Sequence, residues 1–419
     1  MSYLGRLTVI SRRTMYSLTK KPLLQPPYNP APTIPPQELV DEEVCPNYNP
    51  AAFYPAFPRR GARSKLPSTV WLAPDISRNK WQSEQTVALK ITNNDDTDEA
   101  QHERTIERHL ADQDSFEVSG QKGKHICLER FVNRTHPLPI AKAYIYILLN
   151  GLDYLHSICK VVHTDLKLDN ILMSFENDHL LSDFVEKRQA MEYKTAAGRT
   201  IYRCHNDFGP IKAEEVRNFV PKISDFGLAT QLDNPSPQDG VTKKQIGVYP
   251  IQPDHYRAPE VLLGCGWDFK ADIWNFGVLM WDLIGSTELF SQTQDASGRY
   301  DSRSHMAEMI SLLGPPPKVL LERSNSRSQQ DWPRPITNEA GKLCNNAREF
   351  FGGPFFDEDG QFSYSSLVPK RNLEETVSCL QDKDRGIFLS FARDMLAWLP
   401  EERKTARELM DHPFLKLGG

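Results

Sequence analysis

The feature that most constrains the fold is a polar run set between apolar flanks, Val161-Val162-His163-Thr164-Asp165-Leu166-Lys167-Leu168-Asp169-Asn170. An apolar stripe at helical spacing precedes this run and predicts an amphipathic helix: Ile145, Leu148, Leu149, Leu152 and Leu155. Two shorter motifs follow it, Asp225-Phe226-Gly227 and then Ala258-Pro259-Glu260. Any one of these motifs alone is weak evidence, whereas three in a fixed order between apolar segments are strong evidence.

In that order the motifs resemble the catalytic loop, the DFG motif and the APE motif of the protein kinases. The resemblance implies a two-lobed α+β fold, with a β-rich N-lobe and a helical C-lobe. Element order favours the same class, because strand-like segments come before helix-like ones. The strand-like segments are 68–73, 86–91 and 125–128, and the later helix-like segments are 270–285, 305–313, 386–399 and 404–411.

The resemblance also implies the chemistry of the polar run, transfer of the γ-phosphoryl group of ATP to a protein hydroxyl. Asp165 then accepts the proton of the substrate hydroxyl, and Lys167 neutralises charge on the transferring group. A lysine at this position favours serine and threonine over tyrosine. Asn170 and Asp225 offer hard oxygen ligands of the kind that Mg²⁺ prefers.

Further ATP contacts are expected from the N-lobe. Lys90, in Val87-Ala88-Leu89-Lys90, is predicted to pair with the α- and β-phosphates. Its carboxylate partner is predicted to be Glu103, with Glu107 as the alternative, in a charged helix over Asp98–Leu110. The competing interpretations are a solvated lysine at a strand end and ordinary helix surface charges.

Two further residues are expected to support the site. Asp272, in Ala271-Asp272-Ile273-Trp274, resembles the aspartate that holds the backbone of the catalytic loop in kinases. Arg403 resembles the arginine that pairs with the glutamate of the APE motif, which is Glu260 in this chain. A buried pair of that kind is expected to support the folding of the large lobe.

Threonine at 164, where most kinases have arginine, narrows the resemblance to the SR-protein kinases, and less closely to the LAMMER kinases. The resemblance covers about 68–415 and is strongest to the fungal branch. It rests on several segments besides the catalytic loop: 47–50, 68–73, 114–118, 305–314, 356–360 and 386–415. Arginine at 164 would bind a phosphorylated activation loop, so threonine predicts activity that does not depend on such phosphorylation.

The N-lobe departs from the kinase pattern, and it looks truncated. Arg63 and Lys65 stand where glycines of the phosphate-binding loop are expected, and Pro67 lies in the turn. Pro74 is expected to interrupt a strand ladder. Two accounts follow: a functional enzyme whose sequence has lost small-lobe segments, or a pseudokinase that serves as a scaffold with weak or no nucleotide binding.

Composition sets the domain plan of this 419-residue chain. Residues 1–50 are basic at the start and then rich in proline, which predicts a disordered extension. Residues 51–133 are assigned to a reduced N-lobe and 134–419 to a C-lobe, with polar inserts at about 176–220 and 318–372. The 7 scattered cysteines include no CxxC pair, which argues against a disulfide framework or a zinc site.

The net charge of −5 argues against a nucleic-acid-binding protein, and no apolar run reaches membrane-spanning length. The family resemblance implies basic, serine-containing protein substrates of the SR splicing-factor type, a monomer, and a location in the cytoplasm and nucleus. Asp282, Glu288 and Asp295 are candidates to line an acidic substrate groove, with Arg303 and His305 diluting its charge. The first 37 residues contain no Asp or Glu, which leaves mitochondrial targeting open.

Overall fold

The computed structural model describes residues 33–39, 43, 62–65, 68–74, 86–92, 97–112, 125–127, 138–175, 192–196, 199–203, 219–232, 245–285 and 287–416. The strands are β1 Ala62–Lys65, β2 Ser68–Pro74, β3 Thr86–Thr92, β4 His125–Cys127, β5 Val161–Val162, β6 Ile171–Phe175, β7 Tyr193–Ala196, β8 Arg199–Tyr202, β9 Phe219–Ile223, β10 Thr230–Gln231, β11 Ile336–Thr337 and β12 Leu343–Cys344. The α-helices are α1 Thr97–Asp112, α2 Leu138–Tyr154, α3 Pro259–Leu262, α4 Lys270–Gly285, α5 Ser302–Leu313, α6 Lys318–Arg327, α7 Ala347–Phe351, α8 Asp382–Arg393 and α9 Ala406–Met410.

The chain divides into two compact units. One contains Met1–Gln101, Val118–Lys124 and Phe175–Asn218, and the other contains His102–Glu117, His125–Ser174 and Phe219–Gly419. Within the described residues, β1–β3 and the β7–β8 hairpin belong to the first unit, while helices α2–α9 belong to the second. The predicted α+β class is confirmed.

A three-stranded antiparallel sheet with the order β1-β2-β3 forms in the first unit. Lys65 is opposite Ser68, so only Leu66 and Pro67 connect β1 to β2. The expectation that Pro74 interrupts the ladder is wrong, because Pro74 pairs with Thr86 as the last residue of β2. Proline is tolerated there because it is the last residue of β2, beyond the part of β2 that pairs with the described residues of β1.

The core of the second unit surrounds α4, in which every residue from Ala271 to Asp282 is buried. Gly277 permits this packing, since a Cβ at that position would lie 2.9 Å from both Met395 and Leu396. The predicted apolar stripe of α2 is buried along its length, and Pro139 is accommodated in the first turn of that helix. No helix in the described part of the chain has the length and apolarity needed to span a bilayer.

The segment 318–372, which the sequence analysis describes as a polar insert, is folded. It contains α6, the β11–β12 hairpin and α7. Each element is short and contributes only one or two apolar side chains to the core, so no periodicity is visible along the sequence. The apolar side chains that these elements bury are Leu320, Leu321, Cys344, Ala347 and Phe351, and Trp332 and Phe355 are buried in the segments between and after them.

The predicted disorder of residues 1–50 is also wrong for residues 33–39 and 43. Ile34 is buried against Ile201 of β8, and its backbone N–H donates to the carbonyl of Tyr193 at 2.8 Å. This part of the N-terminal extension therefore packs on the β7–β8 hairpin, which lies within the insert predicted at 176–220. Proline-rich composition predicts an extended backbone, but not whether a folded surface exists to receive it.

Candidate active site

The polar run at 163–170 is held in place by α4. Asp272, in the first turn of that helix, accepts hydrogen bonds from the backbone N–H groups of His163 at 2.7 Å and Thr164 at 2.9 Å. One turn further, the Asn275 side chain donates to the carbonyl of Leu166 at 2.7 Å. A buried helix thus fixes the backbone on both sides of Asp165, as the sequence predicted for Asp272.

Asp165 is the centre of a small polar network. Lys167 Nζ lies 2.9 and 3.1 Å from the two carboxylate oxygens of Asp165. Asn170 Nδ2 donates to Asp165 Oδ2 at 2.7 Å and to the Asp165 backbone carbonyl at 2.8 Å. The Asp165 side chain is 13% exposed, so its carboxylate is oriented by two donors and still reaches solvent.

Asn170 and the segment of Asp225 are joined across a pair of adjacent strands. The sheet order β4-β6-β9 places β6, which begins directly after Asn170, beside β9, which ends two residues before Asp225. The backbone N–H and Oγ of Ser224 both donate to the carbonyl of Asn170 at 2.9 Å. The insert between these strands therefore leaves their pairing intact.

This donor set suits a divalent cation. Both hydrogens of the Asn170 amino group are used by Asp165, which turns the amide oxygen of Asn170 the opposite way. The side chain of Asp225 is exposed and its backbone is in the left-handed region, with φ 65°. No cluster of three His, Cys, Asp or Glu side chains forms a metal site among the described residues. Mg²⁺ does not need one, because it binds through one or two carboxylates together with substrate phosphates.

His163 connects the polar run to the DFG motif. Its Nδ1 accepts from the N–H of Asp165 at 3.3 Å, and its Nε2 lies 3.0 Å from the carbonyl of Ser224. A proton on Nε2 satisfies both contacts, which assigns the tautomer. The ring also packs edge-on against Phe226, with centroids 5.2 Å apart.

Thr164 makes a second connection to the same segment. Its hydroxyl donates to the carbonyl of Leu228 at 2.8 Å, and the side chain is buried. The short ladder between β5 and β10, with Val162 opposite Thr230, lies next to this bond. The start of the activation segment is therefore held by neutral hydrogen bonds at the position where most kinases place an arginine.

Helix α1 contacts the same region through two histidines. His102 Nε2 lies 2.7 Å from the carbonyl of Ala229, and His109 Nε2 lies 2.8 Å from the carbonyl of Cys159. Each contact is a hydrogen bond donated by the ring. The first anchors the helix beside Glu103, whose side chain is half-buried.

The segment before the APE motif is fixed by buried polar side chains. Gln252, with φ 75°, donates to the carbonyl of Ala271 at 2.9 Å and accepts from the N–H of Ala258 at 2.7 Å. The hydroxyl of Tyr256 donates to Asp282 on α4. Burial raises the pKa of Asp282 to about 7, and the hydrogen bond from Tyr256 opposes this shift.

Glu260 and Arg403 form the buried pair that the sequence predicted. Arg403 Nη1 and Nη2 lie 2.7 and 2.6 Å from the two carboxylate oxygens of Glu260, and both side chains are fully buried. Arg403 also donates to the carbonyls of Ala397 and Lys270 at 2.9 Å. Its guanidinium group stacks over Trp274, 5.0 Å from the ring centroid. The APE segment is thus tied to the end of the chain.

Comparison with known proteins agrees with this geometry. The sequence model of the protein kinase domain matches residues 211–415. The chain carries a protein kinase domain. A serine/threonine protein kinase of Aspergillus fumigatus is 28% identical over 421 residues, covering 90% of this chain and 91% of the relative. A serine/threonine kinase of Physarum polycephalum named SRPK is 27% identical over 403 residues, or 83% of each chain. A crystal structure of a kinase domain, 18% identical, superposes with a TM-score of 0.56 over 85% of this chain and 94% of that one.

Four of the six predicted site residues lie in two segments that hydrogen bonds join. Lys167 and Asn170 both contact Asp165 in the first segment. Asp225 belongs to the second segment, which Ser224 joins to Asn170. Lys90 lies on β3 opposite Val70, in the first unit, and Glu103 lies on α1 in the second. Their pairing stays a prediction. Thr242 and Ser236 of the activation segment lie outside the described residues.

Several residues of the kinase domain site were missed by sequence reasoning. Gln252, Asn275 and Ser224 each hold a backbone group of the catalytic or activation segment. Asn275, one turn after Asp272 on a predicted helix, had a signal in its spacing. For Gln252 and Ser224 no local pattern distinguishes a buried hydrogen-bonding role from an ordinary loop position.

Asp282→Asn is expected to stabilise the kinase domain at pH 8 and to have little effect at pH 4. The raised pKa means that native Asp282 holds its proton between about pH 4 and 7 while the unfolded chain loses it, so the free energy of unfolding falls as pH rises from about 4 to 7 and is level above that. Asparagine removes that loss, on the order of a few kcal/mol, and its amide oxygen still accepts from Tyr256. Thermal melting at both pH values measures the effect, and Asp295→Asn, in an exposed loop, is the control. An equal shift at both pH values would contradict the assignment.

Proposed function

We propose that this chain is a serine/threonine protein kinase that transfers the γ-phosphoryl group of Mg²⁺-ATP to serines in basic protein segments, with SR-type splicing factors as the substrate class. The observation that carries the proposal is the Asp165 carboxylate, oriented by Lys167 and Asn170 within 3.1 Å. An acceptor held this way suits the positioning role that phosphoryl transfer demands of a protein.

Each site residue has a role that follows from its chemical type. Asp165 accepts the proton of the serine hydroxyl as the serine oxygen bonds to the γ-phosphorus of ATP and the bond from that phosphorus to the ADP oxygen breaks. Lys167 lies beside that carboxylate and supplies positive charge where the transferring group acquires negative charge. Asn170 orients Asp165 with its amino group, and its amide oxygen and the Asp225 carboxylate are the hard oxygen ligands that would hold a cation. A bound Mg²⁺ would neutralise phosphate charge at that position.

A groove in the second unit supports a basic substrate. Its volume is about 290 Å³ and it is lined by 257, 300–303, 338–340 and 349–352. The two arginines at its wall are already paired, Arg257 with Asp254 at 3.2 Å and Arg303 with Asp301 at 2.8 Å. Glu339 and Glu349 give the groove a net acidic lining, which suits a cationic peptide.

The sequence analysis predicts a groove lined by Asp282, Glu288 and Asp295, with Arg303 and His305 diluting its charge, and this prediction needs correction. Asp282 is buried against Tyr256, so it contributes no surface charge. His305 is fully buried, and burial lowers its pKa well below the usual value, so it adds no positive charge. Asp295 caps its own loop, accepting from Ser297 and Arg299, which leaves Glu288 as the exposed member of the predicted three.

A second candidate function, a pseudokinase scaffold, is favoured by the β1–β2 hairpin. Its connection is two residues long and contains no glycine, and Pro67 has no N–H to offer a phosphate. The backbone cover that glycine-rich loops provide is not available from such a connection.

Phosphoryl transfer to matched peptides separates these functions. Labelled phosphate from Mg²⁺-ATP would be followed onto an Arg-Ser repeat peptide and a Glu-Ser repeat of equal length, with thermal melting in Mg²⁺-ATP as the binding assay. Transfer to Arg-Ser alone supports the proposal, and equal transfer to both would indicate a kinase without basic preference. Absence of both transfer and a melting shift would favour the pseudokinase.

Activity is expected to survive phosphatase treatment. The Thr164 hydroxyl already holds the activation segment at Leu228, so no phosphate is needed to pair with an arginine there. Mock-treated and phosphatase-treated protein would be compared for kcat on the Arg-Ser peptide. Thr164→Ser keeps the hydroxyl and should retain activity, while Thr164→Val should lose about tenfold. A tenfold loss after phosphatase treatment would contradict this prediction.

We further propose a monomer that resides in the cytoplasm and nucleus, from family resemblance alone. The acid-free start keeps mitochondria as the alternative location. Imaging of a C-terminally tagged chain, with N-terminal sequencing of the recovered protein, tests both locations.

A further inference from the structure

A buried lysine outside the kinase site marks a second recognition surface. Lys194, on β7, has a side chain that is 3% exposed. Its Nζ lies 2.6 Å from the Glu43 carboxylate, 2.5 Å from the carbonyl of Glu38 and 3.4 Å from that of Pro36. A buried ammonium group needs such acceptors, and all three come from one segment of the N-terminal extension.

The same segment has a backbone contact and an apolar anchor. Thr33 pairs in parallel with Tyr193, and the N–H of Ile34 donates to the Tyr193 carbonyl at 2.8 Å. The side chain of Ile34 is 4% exposed and packs with Ile201 and Ala196. The segment therefore meets the hairpin edge at Thr33 and Ile34 and then turns, since the N–H of Glu38 donates to the carbonyl of Pro35 at 3.0 Å.

Charge is complementary between the two partners. The segment 33–43 carries four acidic residues and no Lys or Arg, whereas the hairpin and its flank carry Lys194, Arg199 and Arg203. Arg203 pairs with Glu38 of the segment, and its other guanidinium nitrogen lies 2.8 Å from Glu192. Leu39, between the anchoring positions, is 65% exposed, so contact is concentrated at Ile34, Glu38 and Glu43.

We propose that the β7–β8 hairpin with Arg203 is a docking site for an acidic peptide segment that turns after its isoleucine, occupied in cis by residues 33–39 and 43 of this chain. The chemistry it selects is an isoleucine at the hairpin edge followed, nine residues later, by a carboxylate for Lys194. Buried Lys194 makes the site selective, because a segment without that carboxylate leaves an ammonium group desolvated and unpaired.

Occupancy in cis has a consequence for any partner of this kind. A tethered segment competes at the effective concentration that its linkage sets, so an external peptide of the same pattern is excluded until the segment is released. The site therefore exchanges its own N-terminal extension for an acidic partner. The proposal does not depend on phosphoryl transfer.

The test uses the full chain and a fluorescent peptide of residues 31–44. Ile34→Ser with Glu43→Gln should release the cis segment and leave the hairpin unchanged. The peptide is expected to bind this released chain, and to bind the unaltered chain at least about 100-fold more weakly. Peptides carrying Ile34→Ser or Glu43→Gln should each bind the released chain about 100-fold more weakly than the original.

Lys194→Gln on the released chain should weaken peptide binding by a similar factor, with exposed Lys383→Gln as the control. The altered peptides test the same contacts without changing the protein, so the proposal stays falsifiable if the Lys194 variant does not fold. Three results would overturn it: equal binding to released and unaltered chains, tight binding of the Glu43→Gln peptide, or a dimer of the unaltered chain in sedimentation, since a dimer would indicate exchange of the segment between copies.

Discussion

Asp165→Asn is expected to lower kcat for phosphoryl transfer by about 10²–10⁴-fold, the contribution of a positioned general base. Asparagine has nearly the same shape, and the hydrogen bond from Asn170 to the backbone carbonyl of residue 165 is kept. The amide cannot accept the serine proton, and it no longer provides the carboxylate that Lys167 contacts at 2.9 Å. KM for ATP should change little, because Asp165 is predicted to act on the hydroxyl and not on the nucleotide.

Steady-state kinetics on the Arg-Ser peptide, with a melting curve for each protein, measures this effect. Asp295→Asn is the matched control, since it removes one carboxylate from an exposed loop of the same unit. It should leave kcat within a factor of two. If the Asp165 variant melts like the original chain and keeps more than a tenth of its kcat, the proton acceptor must be another group.

The parts of the site that could be predicted are those encoded by adjacent residues. Asp165, Lys167 and Asn170 lie within six positions, so their mutual contacts follow from one short loop between two strands. Asp272 and the Glu260–Arg403 pair were predictable by resemblance, and the structure shows both. Three-dimensional context supplied the remaining contacts.

Burial was the quantity that sequence reasoning lacked. Asp282 and His305 were predicted to be surface groups because both carry ionisable side chains, yet each faces the core. Their environments are set by Tyr256 and Phe290, which come from distant elements. Burial raises the pKa of Asp282 and lowers the pKa of His305, which favours the neutral form of each. Neither side chain therefore contributes charge to the predicted groove.

The N-terminal extension shows a related limit. Proline content predicts an extended, disordered backbone, whereas the structure has a turn at Pro35–Glu38, closed by a hydrogen bond from the N–H of Glu38 to the carbonyl of Pro35. Whether such a segment orders depends on a receiving surface, and here that surface is a hairpin more than 150 residues later, with Lys194 contacting Glu38 across a separation of 156 residues. Local composition contains no information about a contact at that distance.

Arg403→Met is expected to destabilise the kinase domain by about 3–5 kcal/mol, because it leaves the fully buried Glu260 carboxylate without its partner. In a domain of this size the loss corresponds to a fall in melting temperature on the order of 10 °C. The variant also gives up three hydrogen bonds to backbone carbonyls and the contact with Trp274. Calorimetry or circular dichroism measures the shift, and activity should fall because the large lobe misfolds.

Two comparisons test whether the loss of stability comes from breaking the buried pair or from removing any arginine. Arg393→Met breaks the exposed pair with Glu374, whose side chains are 55% and 58% exposed, and should cost less than about 1 kcal/mol. Arg403→Met with Glu260→Leu removes both buried charges and should recover much of the lost stability, since an uncompensated charge costs more than an absent pair. If Arg403→Met instead melts at the same temperature as the original chain and is nevertheless inactive, the pair acts on catalysis and does not support the folding of the lobe.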